Sequence, residues 1–223
     1  MENEKTKKGN KLLSFVKATI LIILLAICAT TIYFNTTHEM FIVYGPSMAP
    51  TLNNAACGEN DTIDSVFVSK VKSYTRGDII VANRNYGIEG QEAKYVIKRL
   101  IAVGGDKIKI ETIDGYNRIV IIKGGETEQT VLDEPYLVDY SVNSTLKIGF
   151  DFLVNEYHII LDENQFYEIP QNHVFYMGDN RTNSRDCLSY GPKSVDVIVG
   201  KVDYIIYGGN NAFGQVIGQF FGW

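Results

Sequence analysis

The chain has 223 residues, of which 45% are hydrophobic, and a formal net charge of −5 at pH 7. This length and apolar fraction exclude an intrinsically disordered chain and allow one sizeable core beside a membrane segment. The acidic balance argues against nucleic acid as a partner, because proteins that bind phosphate backbones present a basic surface.

An apolar segment of membrane length lies near the N-terminus. Residues 18–38 carry no formally charged side chain, and as a helix they would rise roughly 31 Å, close to the thickness of a bilayer's hydrocarbon core. Lysines outnumber glutamates in residues 1–17, which predicts a cytoplasmic basic tail. A cleaved signal peptide is the alternative, but its apolar core is usually shorter and ends in a small-x-small site. We therefore predict a permanent single-pass anchor over 18–38.

Strand-forming residues dominate the domain that follows, residues 39–223. Alternating side chains and hairpin-type turns over about 107–172 predict a smaller β-lobe, inserted between two halves of a catalytic core at 39–106 and 173–207. The predicted fold class is mostly β: an antiparallel β-sheet core with an inserted smaller β-lobe, preceded by one transmembrane helix. The strands of the core are predicted at 40–44, 79–82, 94–103, 175–177, 197–200 and 203–207.

The C-terminal segment, residues 208–223, has apolar side chains at helical spacing. It is too short to span a bilayer. Two interpretations stay open: a final element packed on the domain, or an interfacial segment that dips toward the membrane.

Three cysteines are too few for a disulfide framework in a chain of this length, and no zinc motif is present. A bridge between Cys57 and Cys187 stays open, because the sequence cannot place the two sulfurs within reach. We expect no metal and no other cofactor.

Ser47 and Lys98 are the residues that indicate chemistry. Ser47 follows a Gly-Pro turn shortly after the apolar segment, and a serine nucleophile needs a base. The three histidines are scattered and none lies in a motif. Lys98 is flanked by apolar residues, and burial would lower its pKa far enough for a neutral amine to act as the base.

Four segments, in order, resemble those of bacterial type I signal peptidases (leader peptidases), in particular the single-anchor Gram-positive type. The first carries Ser47 and Met48, the third carries Lys98 and Arg99, and the resemblance runs from the anchor to about residue 207. The segments are Ser-Met-Ala-Pro-Thr-Leu at 47–52, Arg-Gly-Asp-Ile-Ile at 76–80, Lys-Arg-Leu-Ile-Ala-Val-Gly-Gly-Asp at 98–106 and Gly-Asp-Asn-Arg-Thr-Asn-Ser-Arg-Asp at 178–186.

The resemblance implies a catalytic dyad. Ser47 would be the nucleophile, and its backbone N–H would help to hold the oxyanion. Lys98 would accept the Ser47 proton and later donate it to the leaving amine. Ser184 would orient the Lys98 amine by a hydrogen bond.

The resemblance also implies supporting residues. Asp179 is expected to pair with Arg99, Asp186 to brace the loop that holds Ser184, and Met48 to support the nucleophile. Cys187 and Leu188 stand where the family usually has Ser-Arg, so that Arg185 is the remaining candidate arginine for Asp186.

Substrate binding by addition of a β-strand is a further implication, with pockets that favour Ala-x-Ala before the cut. Candidate edges lie beside Ser47 and just before Lys98. The predicted substrate-binding residues are Ile42, Tyr44, Gly45, Tyr95 and Val96.

The predicted function is removal of signal peptides from exported preproteins by a serine endopeptidase of the plasma membrane, with the catalytic domain extracytoplasmic. The partners would be exported preproteins and the lipid bilayer. Two alternatives stay open: a Ser/Lys peptidase dedicated to one secretion or pilin client, and an inactive anchored β-domain that binds exported peptides.

Overall fold

A computed structural model describes residues 2–53, 64–70, 73–137 and 139–207. The predictions for Cys57 and for the segment 208–223 lie outside this part of the chain. Two compact units are present, residues 1–39 and residues 40–223.

The first unit is one long helix, α1, over Glu2–Thr37. Within it, Leu13–Thr37 is long and apolar enough to cross a membrane, with a mean hydropathy of 2.4 and no buried side chain in that window. Its threonine hydroxyls bond to the helix's own carbonyls: Thr30 donates to Ala26 and Thr37 to Tyr33. Such bonds satisfy the threonine hydroxyls without water, as a membrane-spanning helix requires.

The larger sheet has seven strands in the order β1-β2-β11-β3-β4-β9-β10. Neighbours from β2 onward run antiparallel. Its strands are β1 His38–Ile42, β2 Ser65–Ser69, β3 Ile79–Asn83, β4 Tyr95–Val103, β9 His173–Met177, β10 Lys193–Ser194 and β11 Ile198–Ile206.

The smaller sheet has four strands in the order β7-β6-β5-β8 and is formed within the predicted inserted segment. Its strands are β5 Lys107–Ile113, β6 Tyr116–Ile122, β7 Gln129–Val131 and β8 Tyr167–Glu168. The predicted fold class, mostly antiparallel β with a smaller second sheet and an N-terminal apolar helix, is confirmed.

Several details differ from the predicted elements. Two strands of the larger sheet, β2 and the short β10, were not among the predicted strands of the core. A helix that the sequence did not suggest, α2 over Leu146–Glu156, lies between β7 and β8 and buries Leu146, Phe150 and Leu153. The two final strands are one continuous strand, β11, whose pairing with β2 shifts register between Val202 and Tyr204. Short helical turns complete the fold: 3-10 helices at Tyr140–Thr145 and Val195–Val197, and α3 at Cys187–Tyr190.

Apolar side chains cover both faces of the larger sheet, because successive residues of a strand point to opposite faces. In β3, Ile80 joins a cluster shared with the smaller sheet and α2, whereas Val81 joins a second cluster. Met48 and Leu52 belong to that second cluster and are almost fully buried. Val43, before the serine, belongs to the same cluster, so the loop that carries Ser47 is fixed to the sheet on both sides of the serine.

Candidate active site

Ser47 and Lys98 lie in direct contact. The Oγ atom of Ser47 is 2.7 Å from the Nζ atom of Lys98, and Nζ also donates to the backbone carbonyl of Ile97 at 2.9 Å. Lys98 comes from the middle of β4, where Ile80 of β3 is its cross-strand partner. A strand buried on both sides therefore presents the amine to the loop that follows β1.

Burial lowers the pKa of Lys98 below its ordinary value. Only 3% of the residue is exposed, and the charged form of an amine is disfavoured away from water. The carboxylates of Asp186 and Asp179 act in the opposite direction, but burial is the larger effect. The site thus favours the neutral amine that a general base requires.

The turn after β9 holds the backbone of the Ser47 loop. Asn180 donates from its backbone N–H to the Ser47 carbonyl at 3.1 Å and from its side-chain amide to the Pro46 carbonyl at 3.1 Å. Gly178 leaves room for this approach, because a Cβ atom there would overlap the Ser47 carbonyl oxygen and the Ser184 hydroxyl. Two loops distant in sequence are therefore packed backbone to backbone at the nucleophile.

Arg99 and Asp179, which were expected to pair, lie together. Arg99 donates from Nε at 2.8 Å and from a terminal nitrogen at 2.6 Å to the two carboxylate oxygens of Asp179. Thr51 donates its hydroxyl to the same carboxylate at 2.5 Å, and the Tyr136 ring lies 3.9 Å from the guanidinium carbon of Arg99. The pair therefore connects β4, the Ser47 loop and the turn after β9.

Ser184 does not form the expected hydrogen bond with Lys98. The Lys98 amine contacts Ser47 and the Ile97 carbonyl instead, and the Ser184 hydroxyl is buried against Gly178 with no hydrogen-bond partner in the structure. The expected bond is absent because the Ser184 hydroxyl packs over the backbone of Gly178 instead of pointing to the Lys98 amine.

Asp186 braces its loop through backbone groups rather than through Arg185. Its carboxylate accepts from the Gly178 N–H at 2.9 Å and from the Leu188 N–H at 3.1 Å, the latter as the N-cap of α3. Within the described part of the chain, no ion pair joins Arg185 to Asp186. The carboxylate is satisfied by two N–H groups, so an arginine partner is not needed.

Cys187 follows as a free, fully buried thiol. Its sulfur accepts from the Tyr176 N–H at 3.3 Å, and burial raises the pKa of the thiol well above its ordinary value. The structure therefore does not pair it in a disulfide.

A cavity of about 300 Å³ lies beside the contact between Ser47 and Lys98. Two segments form its walls, residues 41–44 and residues 94–98. Of the predicted substrate-binding residues, Ile42, Tyr44, Tyr95 and Val96 line this cavity, as does Met48. Gly45 does not line it; its φ of +80° lies in the left-handed region that favours glycine.

The sequence did not indicate several residues that support the site. Thr51 and Asn180 lie inside the quoted segments, but nothing in their spacing assigns partners to them. Arg181 and Glu134 form a buried ion pair 47 residues apart, to which Tyr136 and Asn143 add hydrogen bonds. No local pattern links positions so far apart.

A second ion pair joins Arg76, in the turn before β3, to the buried carboxylate of Asp106. The sequence did not indicate this pair either.

A serine hydroxyl in contact with a buried amine, beside an open cavity, has the chemical groups that nucleophilic hydrolysis requires: a nucleophile and a nearby base. The chain belongs to the signal peptidase family, peptidase S26, whose family model matches residues 12–207. It is a serine endopeptidase, as the sequence predicted. Within the described residues, no group of three or more His, Cys, Asp or Glu side chains could hold a metal ion.

Bacillus subtilis has relatives of similar length. Signal peptidase I S of strain 168 is 28% identical over 208 residues, which cover 93% of this chain and 95% of that protein. A signal peptidase I P from subspecies natto is 31% identical over 190 residues, which cover 83% of this chain and 82% of that protein. A crystal structure of a signal peptidase I from Enterococcus faecalis V583 is similar with a TM-score of 0.38 and 23% identity, covering 59% of this chain and 97% of that one.

Proposed function

We propose that this protein removes N-terminal signal peptides from exported preproteins, with Ser47 as nucleophile and Lys98 as general base. The observation that carries the proposal is the 2.7 Å contact between the Ser47 hydroxyl and an amine that is 3% exposed. At neutral pH a solvated lysine would be charged and could not accept a proton. Burial acts against this charge, because it lowers the pKa of the Lys98 amine.

The first chemical step is attack of Ser47 Oγ on the carbonyl carbon of the scissile peptide bond. The neutral Lys98 amine takes the hydroxyl proton as the new C–O bond forms, and the backbone N–H of Ser47 stabilises the oxyanion. Lys98 then gives the proton to the departing amine as the C–N bond breaks. Water attacks the resulting ester with Lys98 again as base, which releases the signal peptide and restores the Ser47 hydroxyl.

The neighbouring residues hold the dyad in position. Asn180 donates to the carbonyls of Pro46 and Ser47, and Arg99 with Asp179 and Thr51 fixes the far end of the loop. A nucleophile must approach to about 3–3.5 Å in the correct orientation. Small displacements of this loop should therefore affect turnover more strongly than substrate binding. Ser184 and Asp186 contact Gly178, which packs against the Ser47 carbonyl.

The substrate segment before the cut would lie in the cavity of about 300 Å³, as an added strand between residues 41–44 and 94–98. Walls this close to Ser47 favour small side chains next to the scissile bond. We infer that cleavage follows small-x-small sites such as Ala-x-Ala.

The apolar helix would place this chemistry at a membrane. We infer a plasma-membrane protein with a cytoplasmic tail over 1–17, an anchor over 18–38 and an extracytoplasmic domain over 39–223. In this domain the lobe at about 107–172 is inserted between the two core segments 39–106 and 173–207. The hydropathy of Leu13–Thr37 and the lysine-rich tail support this orientation.

Cleavage of an Ala-x-Ala preprotein by the detergent-solubilised full chain tests the proposal. The parent should cleave the preprotein, whereas Ser47→Ala and Lys98→Met should be inactive. As a control, Lys123→Met alters an exposed lysine that does not line the cavity, so it should keep turnover. Activity in Lys98→Met, or binding without cleavage by the parent, would overturn the assignment of the dyad.

A further inference from the structure

A second cavity, of about 560 Å³, lies between helix α2 and the residues that follow β9. Nothing in the chemistry above uses it. We call it the α2 groove. Its walls include Ile148, Phe152, Met177, Ser184, Arg185 and Leu188.

The α2 wall of this groove is apolar and exposed. Ile148 and Phe152 lie four residues apart and therefore on one face of the helix, with 70% and 48% of their surfaces exposed. The opposite face already provides the contacts with the core through Leu146, Phe150 and Leu153. The helix thus presents two large apolar side chains that its own packing does not require.

The α2 groove lies next to the backbone of the candidate nucleophile. Ser184 lines the groove, and the Ser184 hydroxyl and the Ser47 carbonyl both flank Gly178, so closely that a Cβ atom on Gly178 would overlap both. A substrate chain that passes Ser47 on this side would therefore enter the α2 groove.

The opposite wall carries positive charge. Arg185 is exposed, and no carboxylate in the described part of the chain lies within ion-pair distance of it. The nearby carboxylate of Asp186 is bound to two backbone N–H groups, and Arg181 is held by Glu134. The α2 groove therefore offers an apolar wall and a cation that is available to a ligand.

We propose that the α2 groove binds the substrate segment that follows the scissile bond, the first residues of the released protein, and that it favours an apolar side chain together with an acidic one. Ile148 and Phe152 contact the apolar residue, and Arg185 pairs with the acidic residue. This rests on the proposed function, because it assigns the second half of the same substrate.

Two preproteins with one signal peptide and equal length test the proposal. One carries Leu and Glu within the first residues after the cut, and the other carries Gly and Ser there. The parent should prefer the first by about tenfold in kcat/KM, the size of effect that apolar pocket contacts give. The double variant Ile148→Ala with Phe152→Ala should lose most of that preference. Ile160→Ala removes an isoleucine that is 88% exposed outside the groove and should retain it.

Charge reversal provides the second readout. Arg185→Glu should prefer a substrate with Lys in place of Glu after the cut, which reverses the order shown by the parent. Equal cleavage of both preproteins by the parent, or an unchanged preference in the double variant and in Arg185→Glu, would overturn the groove proposal while the peptidase activity stands. Failure of the parent to cleave any of the preproteins would instead refute the proposed function, and the groove proposal with it.

Discussion

Replacing Glu134 by Gln should destabilise the domain strongly, because it leaves a buried guanidinium without its counter-ion. The side chains of Arg181 and Glu134 are 1% and 0% exposed and form a direct ion pair. Arg181 also donates to the Asn143 side chain at 3.1 Å and to the Gly178 carbonyl at 3.2 Å. These neutral acceptors remain after the substitution, but the guanidinium of Arg181 no longer contacts a negative charge.

The expected cost is about 3–5 kcal/mol, the usual range when one partner of a buried pair is removed. For a protein of this size each kcal/mol lowers Tm by about 2–4 °C, so that Tm should fall by roughly 6–20 °C. Thermal unfolding of the detergent-solubilised chain, followed by circular dichroism, measures it. The double variant Glu134→Gln with Arg181→Met should recover part of the loss, because it removes both charges.

Glu111→Gln is the matched control. Its carboxylate is 48% exposed and pairs with Lys109 at 3.0 Å, and exposed pairs contribute about 0–1 kcal/mol. If Glu134→Gln and Glu111→Gln shifted Tm equally, the reasoning that burial makes this pair indispensable would be refuted.

Three further predictions concern the loop and the dyad. Because burial lowers the pKa of Lys98, the unfolded chain binds more protons between that lowered pKa and 10.5, so stability should rise with pH in this window. Activity should rise as the pH passes through the lowered pKa, where the folded enzyme gains its neutral amine. Lys98→Met should remove this rise and should unfold at a higher temperature than the parent at neutral pH, because it has no amine to bury, as measured by thermal unfolding across pH; a parent profile without the rise would contradict this. Gly178→Ala should lower kcat by about a hundredfold, because the added Cβ displaces the Ser47 backbone, and steady-state kinetics with parent-like turnover would disprove the close approach. Thr51→Val should lower kcat/KM about tenfold through loss of the hydrogen bond to Asp179, whereas Thr51→Ser should retain activity; equal losses in both would mean that the methyl group matters instead of the hydroxyl.

Local patterns in the sequence were sufficient for most strands of the larger sheet, though not for β2 and β10, and for the residues of the main chemistry. The alternation in β5 and the apolar run of β4 depend only on neighbouring residues, and they predicted both strands closely. The apolar flanks of Lys98 similarly predicted its burial.

Features that depend on distant residues could not be predicted in the same way. Helix α2 contains Gly149 and lies among turn-forming residues, which hides the spacing of its buried positions, and it is stabilised by packing on the core. The register shift in β11 arises from its pairing with β2. Glu134 and Arg181 become partners only when the lobe folds back on the turn after β9.

The position of Ser184 depends on the same kind of long-range packing. The expected hydrogen bond required knowledge of which side of Gly178 the hydroxyl would occupy, and that is decided by the contact between the two loops. Sequence motifs identify the residue types near a reaction more readily than they identify the bonds among them.

The buried thiol of Cys187 makes local unfolding of the domain measurable through the rate at which the thiol is modified. A reagent that alkylates thiolates cannot reach this sulfur while α3 is packed on β9, and burial keeps the proton on it at neutral pH. In a variant with the other two cysteines replaced by serine, each modified molecule has therefore undergone an opening in which α3 separated from the sheet. Asp186 caps α3 and also accepts a hydrogen bond from Gly178. The rate of modification therefore reports how often the backbone that packs against Ser47 unfolds locally.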